Sequence, residues 1–574
     1  MKKNFKAVFF AFSIAALAIS AAYADNFGGK HVLLISIDGM HALDFTNCVN
    51  NGTCPNLKTL GMHGTTYPNT STSKPSDSFP GLMAIVTGGS PVSVGAWYDV
   101  AYDRILAPPT IETGNGNPPG NCIAGHNNGA TTEYEEGNEI DQTKLNGGSA
   151  EYTLLDGGIK SIDPNKLNRD PFNGCSPVYS WNFIRTNSIY GIIHAAGGYT
   201  AWSDKHAAYA AVNGYQAGPT PTNVDDYYSP EVNSNVIALP GIMTASHDDC
   251  SMVPSDVLSD WTTSFTAIRC YDQLKVNAVV NWINGQTHLN TGPLPAGVPV
   301  IFGMNFQAVS VGQKLVNPTS GKGGYMDAAG DTTGNMLNQI EFVDKAIGQM
   351  VAALQSATTP NLFANTTIII TAKHGQSPVD PNLFFPIPGH APANNGASPS
   401  TILYNNGHNS LLAQTDCEFA AVHCAKGVGG GLGPTEDDIS QIWLSNSSKL
   451  AEAVETLQAN AATAGISQIF YGPSITNNFF SSATASRTPD IIVQPKVGVV
   501  YTGSNKKQAE HGGFAHDDTN VMLLVSNPSM AQSTNNQFVE TKQVAPTILK
   551  ILGLNPNALD AVKMEGTAVL PGAF

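Results

Sequence analysis

Two short runs in the chain are apolar from end to end and stop abruptly at polar residues. They are "HVLLISIDGM", His31 to Met40, and "TTIIITAKHG", Thr366 to Gly375. A strand with one face in water alternates apolar and polar residues. Continuous runs therefore mark strands buried on both faces, as in a parallel sheet covered by helices. Functional groups in such sheets collect at the carboxyl ends of the strands. Asp38 closes the first run, and Lys373 with His374 closes the second. Between them "VPVIFGMNF" reads as another strand, while "YDQLKVNAVVNWING" and "GNMLNQIEFVDKAIGQMVAALQ" carry apolar residues at helical spacing. Strands alternating with helices predict an α/β sheet.

A further boundary lies at "SKPSDSFPGLMAIVTGG". Pro80 suits the first turn of a helix and Gly88 with Gly89 its end, so Ser78 is expected at the helix N-terminus, where backbone N–H groups favour an anion. Elsewhere the 574 residues include 56 glycines and 36 prolines, which is the composition of a loop-rich chain. Residues 25–574 are expected to form one catalytic domain with irregular insertions at roughly 107–179, 206–252 and 376–434. The last of these holds "GVGGGLG", read as a loop because the GxxxxGK[ST] pattern is absent.

The first residues address the protein. "MKKNFK" is basic, "AVFFAFSIAALAIS" is a short apolar core, and "AAYAD" offers small residues for cleavage after Ala24. That is the form of a bacterial Sec-type signal peptide, and it predicts a periplasmic or secreted protein. No later stretch is apolar enough for a transmembrane segment. Eight cysteines fit an oxidising compartment, and local pairing gives Cys48–Cys54, Cys122–Cys175, Cys250–Cys270 and Cys417–Cys424. A formal charge of −16 without Lys/Arg clusters disfavours a nucleic-acid-binding surface.

Four positions would share one sheet edge: Asp38, Ser78, His374 and His511, the last just before "GGF". A carboxylate and two imidazoles hold zinc-like ions, and such an ion activates a neighbouring hydroxyl for attack on phosphorus. Singly, each has an ordinary structural use as a turn residue, a helix cap or a core histidine.

The order of these motifs resembles the nucleotide pyrophosphatase/phosphodiesterase branch of the alkaline phosphatase superfamily. "ISIDGM" is similar to its first metal-binding strand, and "KPSDSFPGLMAIVTGGSPVSVGAW" to its nucleophile segment, with Ser78 in place of the usual threonine. "FVDKAIGQMVAAL", "TIIITAKHGQSP", "RTPDIIVQP" and "EHGGF" follow in the family's order. The resemblance implies a three-layer α/β/α sandwich with a mostly parallel sheet, a covalent phosphoseryl or nucleotidyl intermediate, and two zinc ions.

The chain departs from the family where the metals would bind. Lys373 replaces a carboxylate ligand, and "NFQAVSVGQK" offers Val309 and Gln313 where the family has Asp and His. The expectation is therefore one divalent ion, zinc by resemblance, or none, with Asp38, Ser78, His374 and His511 as its candidate ligands and no secure second ion. Ser78 and Lys373 are the catalytic candidates, with Asn305, Gln307, Gln313 and Arg104 as candidate substrate contacts. Asp204, Lys205 and His206 stand at another strand end, and His516, Asp517 and Asp518 follow His511 closely. Three readings follow: a phosphodiesterase with a reduced metal site acting on a small phosphate ester, a ligand-binding pseudoenzyme, or a hydrolase of phosphomonoesters, phosphonates or sulfate esters.

Overall fold

A computed structural model describes residues 27–114, 119–134, 137–145, 158–233, 242–253, 260–388, 396–403, 406, 435–444, 447–479, 485–502 and 504–573. The signal segment, the Cys417–Cys424 pair and the "GVGGGLG" loop lie outside these residues.

An eight-stranded sheet organises the fold. In chain order its strands are β1 (His31–Ile37), β2 (Gly64–Thr66), β3 (Ala201–Ser203), β4 (Asp226–Tyr228), β5 (Ile301–Phe306), β6 (Thr366–Thr371), β7 (Leu524–Ser526) and β8 (Ser533–Thr534). Across the sheet they run β8-β2-β7-β6-β1-β5-β3-β4, and only β7 pairs antiparallel to its neighbours. The two runs singled out above are the adjacent parallel strands β1 and β6, with Ile35 opposite Ile370 and Ser36 opposite Thr371. Their polar ends therefore emerge side by side.

Successive residues of β1 serve opposite faces. Leu33, Ile35 and Ile37 enter one apolar core with Phe302, Met304 and Phe306 of β5, whereas Val32 and Leu34 enter the other. Helices α2 (Phe265–Ile283) and α4 (Gly334–Ser356) cover the first face, with α3 (Ala308–Lys314) between them; α1 (Ser78–Thr87) and α5 (Val544–Ile551) cover the second. This is the sandwich that a sheet of continuous apolar strands requires, since each face must be buried.

Two segments take places in the fold that the sequence alone does not state. "RTPDIIVQP" contributes Ile491–Pro495 to a separate four-stranded sheet with Thr435–Glu436, Ser440–Ile442 and Ile466–Tyr471, not to the central one. A short apolar run does not say which sheet it joins. Within 206–252, expected to be irregular, Ala207–Asn213 forms a 3-10 helix and Asp226–Tyr228 the edge strand β4.

Three disulfides close local loops, Cys48–Cys54, Cys122–Cys175 and Cys250–Cys270, with Cα separations of 5.3, 6.0 and 5.6 Å. They are consistent with an oxidising compartment. Among the described residues no helix is long and apolar enough to cross a membrane.

Candidate active site

Helix α1 begins at Ser78 because Asp77 caps it, its carboxylate accepting from the Phe79 N–H at 3.0 Å, and it ends at Gly88 in the left-handed conformation. The helix lies almost on the loop after β6: a Cβ on Gly81 would stand 2.1 Å from the Lys373 carbonyl oxygen. Glycine at that point lets Ser78 approach the end of β6.

Ser78 Oγ is 3.2 Å from Nε2 of His374, and the other ring nitrogen donates to the Gly375 carbonyl at 2.8 Å. That bond fixes the neutral tautomer with Nε2 as the acceptor facing Ser78. Burial lowers the His374 pKa to about 4, against the pull of Asp38, so the ring is neutral at ordinary pH. Asp38 Oδ2 lies 3.8 Å from the same Nε2 and accepts from Gln307 at 2.6 Å and Asn305 at 3.2 Å. Burial opposes the Asp38 charge, but Lys373, His374, Lys205 and the Gln307 hydrogen bond outweigh it and hold the carboxyl below its usual range.

Lys373 is wholly buried. Its ammonium donates to Asp204 Oδ1 at 2.8 Å, stands 4.0 Å from Asp38 Oδ2, and lies over the Tyr209 ring 4.0 Å from its centroid. Asp204 is itself fixed, accepting from Trp202 Nε1 at 3.0 Å and from the Lys205 N–H at 2.9 Å.

His511 packs on His374 with ring centroids 4.0 Å apart, and its Nδ1 is 3.7 Å from Asp77 Oδ1. Burial keeps its imidazole well below the ordinary range. The anion expected at the helix N-terminus is supplied by the protein: Asp77 takes the first N–H groups, and burial raises its carboxyl to about 6 despite them. Asp38, Ser78, His374 and His511 are thus together, with Lys373, Asn305 and Gln307 beside them. Arg104 is engaged elsewhere, donating to Asp490 at 2.5 Å and to the Thr488 carbonyl at 3.1 Å. Gln313 donates to the Gly39 carbonyl at 2.7 Å and to Tyr325 at 2.8 Å.

The chemistry by which the resemblance implies metal ions can be set against these donors. Catalytic zinc takes about three protein ligands. On the Ser78 side Asp38 and His374 accompany the hydroxyl, His511 packs against His374, and the ammonium of Lys373 stands 4.0 Å from Asp38 Oδ2. Asp38 Oδ1, Asp77 Oδ1, Asn305 Oδ1 and His511 Nδ1 have no hydrogen-bond partner, but the same ammonium stands beside the other Asp38 oxygen. On the other side Val309 has no donor and Gln313 points its amide N–H at protein oxygens. Among the described residues no three His, Cys, Asp or Glu side chains are grouped to share an ion. His516, Asp517 and Asp518 do not restore one: the Asp518 carboxylate accepts from the Ala515 N–H at 3.1 Å, and Asp517 from the Val379 N–H at 2.9 Å. The Lys373 ammonium, 4.0 Å from Asp38 Oδ2, opposes a cation there, so the residues present do not fit a divalent ion.

A polar cluster absent from the sequence reading lies behind Gln313. His41 Nδ1 is 2.9 Å from both Asp44 and Tyr325, and Nε2 is 2.8 Å from the Asp517 carbonyl and 2.9 Å from that of Gln376. Burial opposes its charge, but Asp44, Asp517 and the Gln376 carbonyl raise the His41 pKa overall. A raised pKa contributes stability that is complete below the ordinary imidazole value near 6.5 and is lost as pH rises through the folded value. The melting-temperature gap between wild type and His41→Gln is therefore expected to be widest below about pH 6 and to narrow at higher pH. A gap that widens with pH would contradict this assignment.

Comparison with known proteins places these features in a family context. The sequence profile of type I phosphodiesterase / nucleotide pyrophosphatase matches residues 32–125 and 231–518. Murine ectonucleotide pyrophosphatase / phosphodiesterase 5 is similar in structure at TM-score 0.50 and 13% identity, over 92% of this chain and 96% of that one. An inactive variant of the murine protein in complex with AMP, and the human protein, match equally well, each at TM-score 0.50 and 13% identity over 92% of this chain and 96% of that one. No curated protein sequence matches the chain significantly.

Proposed function

Because the chain belongs to the type I phosphodiesterase / nucleotide pyrophosphatase family, we propose that it is an exported hydrolase of phosphoric esters, a phosphodiesterase before a phosphomonoesterase, with Ser78 as nucleophile. The observation that carries this reading is the 3.2 Å contact between Ser78 Oγ and the acceptor nitrogen of a neutral His374. Ser78 Oγ attacks phosphorus, its proton passes to His374 Nε2, and the P–O bond to the leaving group breaks. The leaving oxygen takes the proton, and water then cleaves the phosphoseryl or nucleotidyl ester, restoring Ser78. His374 is a weak base in the resting site. An entering phosphoryl anion raises its proton affinity, and Asp38 Oδ2 at 3.8 Å offsets the imidazolium charge as it forms.

Thr72 is the other buried hydroxyl to weigh. It donates to the Lys373 carbonyl, so its oxygen is committed to holding the loop that carries His374. A second reading, a ligand-binding relative without turnover, is favoured by two facts: Lys373 is already paired with Asp204, and Ser78 is only 1% exposed. A panel of chromogenic phosphodiesters, phosphomonoesters, phosphonates and sulfate esters separates the two. Nucleotide diesters head it, because the murine relative's inactive variant is complexed with AMP. Diester hydrolysis fastest of all is the expected result, and absence of turnover on every ester would leave the binding reading.

A further inference from the structure

A site that handles phosphoryl groups needs positive charge where the oxygens sit. In this fold family that charge implies metal, yet the donors here do not fit an ion. We propose that the anion site is metal-independent and that the ammonium of Lys373 is the cation that holds the phosphoryl oxygens, with Asp204 and Tyr209 as its positioning residues.

The Lys373 ammonium is held on two sides. A lysine ammonium carries three N–H donors. One goes to Asp204 Oδ1 at 2.8 Å, and the Tyr209 ring backs the group at 4.0 Å. The next carboxylate oxygen, Asp38 Oδ2, is 4.0 Å away, too far for a hydrogen bond. From there the path to the nucleophile is short: Asp38 Oδ2 to His374 Nε2 is 3.8 Å, and His374 Nε2 to Ser78 Oγ is 3.2 Å. A buried lysine needs a counter-ion, and the pair is tolerated only where further hydrogen bonds satisfy the carboxylate. Asp204 is held on both oxygens, by Trp202 Nε1 and the Lys205 N–H, as a positioning group must be. Lys205 stands beside it, 5.4 Å from the centroid of the same Tyr209 ring, and adds a second positive charge to this wall of the site.

The inference deepens the proposed function and rests on that reading for what the anion is. Its test is orthophosphate binding by calorimetry to the full chain, dialysed against chelator and checked for metal by elemental analysis. Metal-stripped wild type is expected to bind orthophosphate with the same affinity as protein resupplied with zinc. Lys373→Met is expected to weaken binding at least tenfold, and Lys373→Arg to retain most of it. Because Lys373→Met alone leaves Asp204 buried without its partner, the double variant Lys373→Met/Asp204→Asn removes the pair together and should show the same loss. Phosphate binding that appears only with zinc, or that survives in both methionine variants, overturns the proposal. Metal-free binding without ester turnover would leave Lys373 as the anion's cation and remove the hydrolytic reading instead.

Discussion

Ser78→Ala lowers ester turnover by at least about 10^3-fold with little change in melting temperature. Removing a nucleophile that acts with its base as a unit costs about as much as removing the whole unit, which in serine enzymes is on the order of 10^6. The smaller floor allows for a site in which water, oriented by His374, still attacks slowly. Folding should survive, because the only hydrogen bond that the Ser78 side chain makes among the described residues is to His374. Thr72→Val is the control. It loses the bond to the Lys373 carbonyl and should cost about 1 kcal/mol of stability, but less than tenfold in rate. Steady-state rates and thermal melts of both variants check the pair. If the two exchange phenotypes, Thr72 is the nucleophile.

Asp204→Ala is expected to be the most destabilising single change at the site, by about 3–5 kcal/mol, because it strands a fully buried ammonium whose next carboxylate is 4.0 Å away. Replacing both members of the pair, as in Lys373→Met/Asp204→Asn, should recover most of that loss, since matched neutral groups need no counter-ion. Denaturant unfolding measures both. A loss under about 1 kcal/mol for Asp204→Ala would mean that another group neutralises Lys373.

The same pair shows where sequence reading stops. Lys373 was visible as an anomaly, a cation ending an apolar strand. Its partner was visible only as one of three polar residues at another strand's end, 169 positions earlier. What joins them is the order β6-β1-β5-β3 across the sheet, and no local pattern states which strands are neighbours. Asp38, His374 and the start of α1 were legible because each is local: an apolar run that stops, or a proline and glycines framing a helix. The acidic cap at Asp77 was missed for the opposite reason. It is a common N-cap beside a residue that drew more attention, and its effect is to occupy the N–H groups expected to meet the substrate. Arg104 illustrates a third limit, since an arginine reads alike whether it faces a ligand or, as here, an aspartate of another segment.

The central claim, that Ser78 is the group that takes the phosphoryl from the ester, is tested most directly by single-turnover acid quench with enzyme in excess, followed by peptide mass analysis. The expected result is a phosphoryl or nucleotidyl mass increment on the peptide containing Ser78, localised to that residue, in protein stripped of metal. An increment on Thr72, or none on any residue while substrate is consumed, would contradict it.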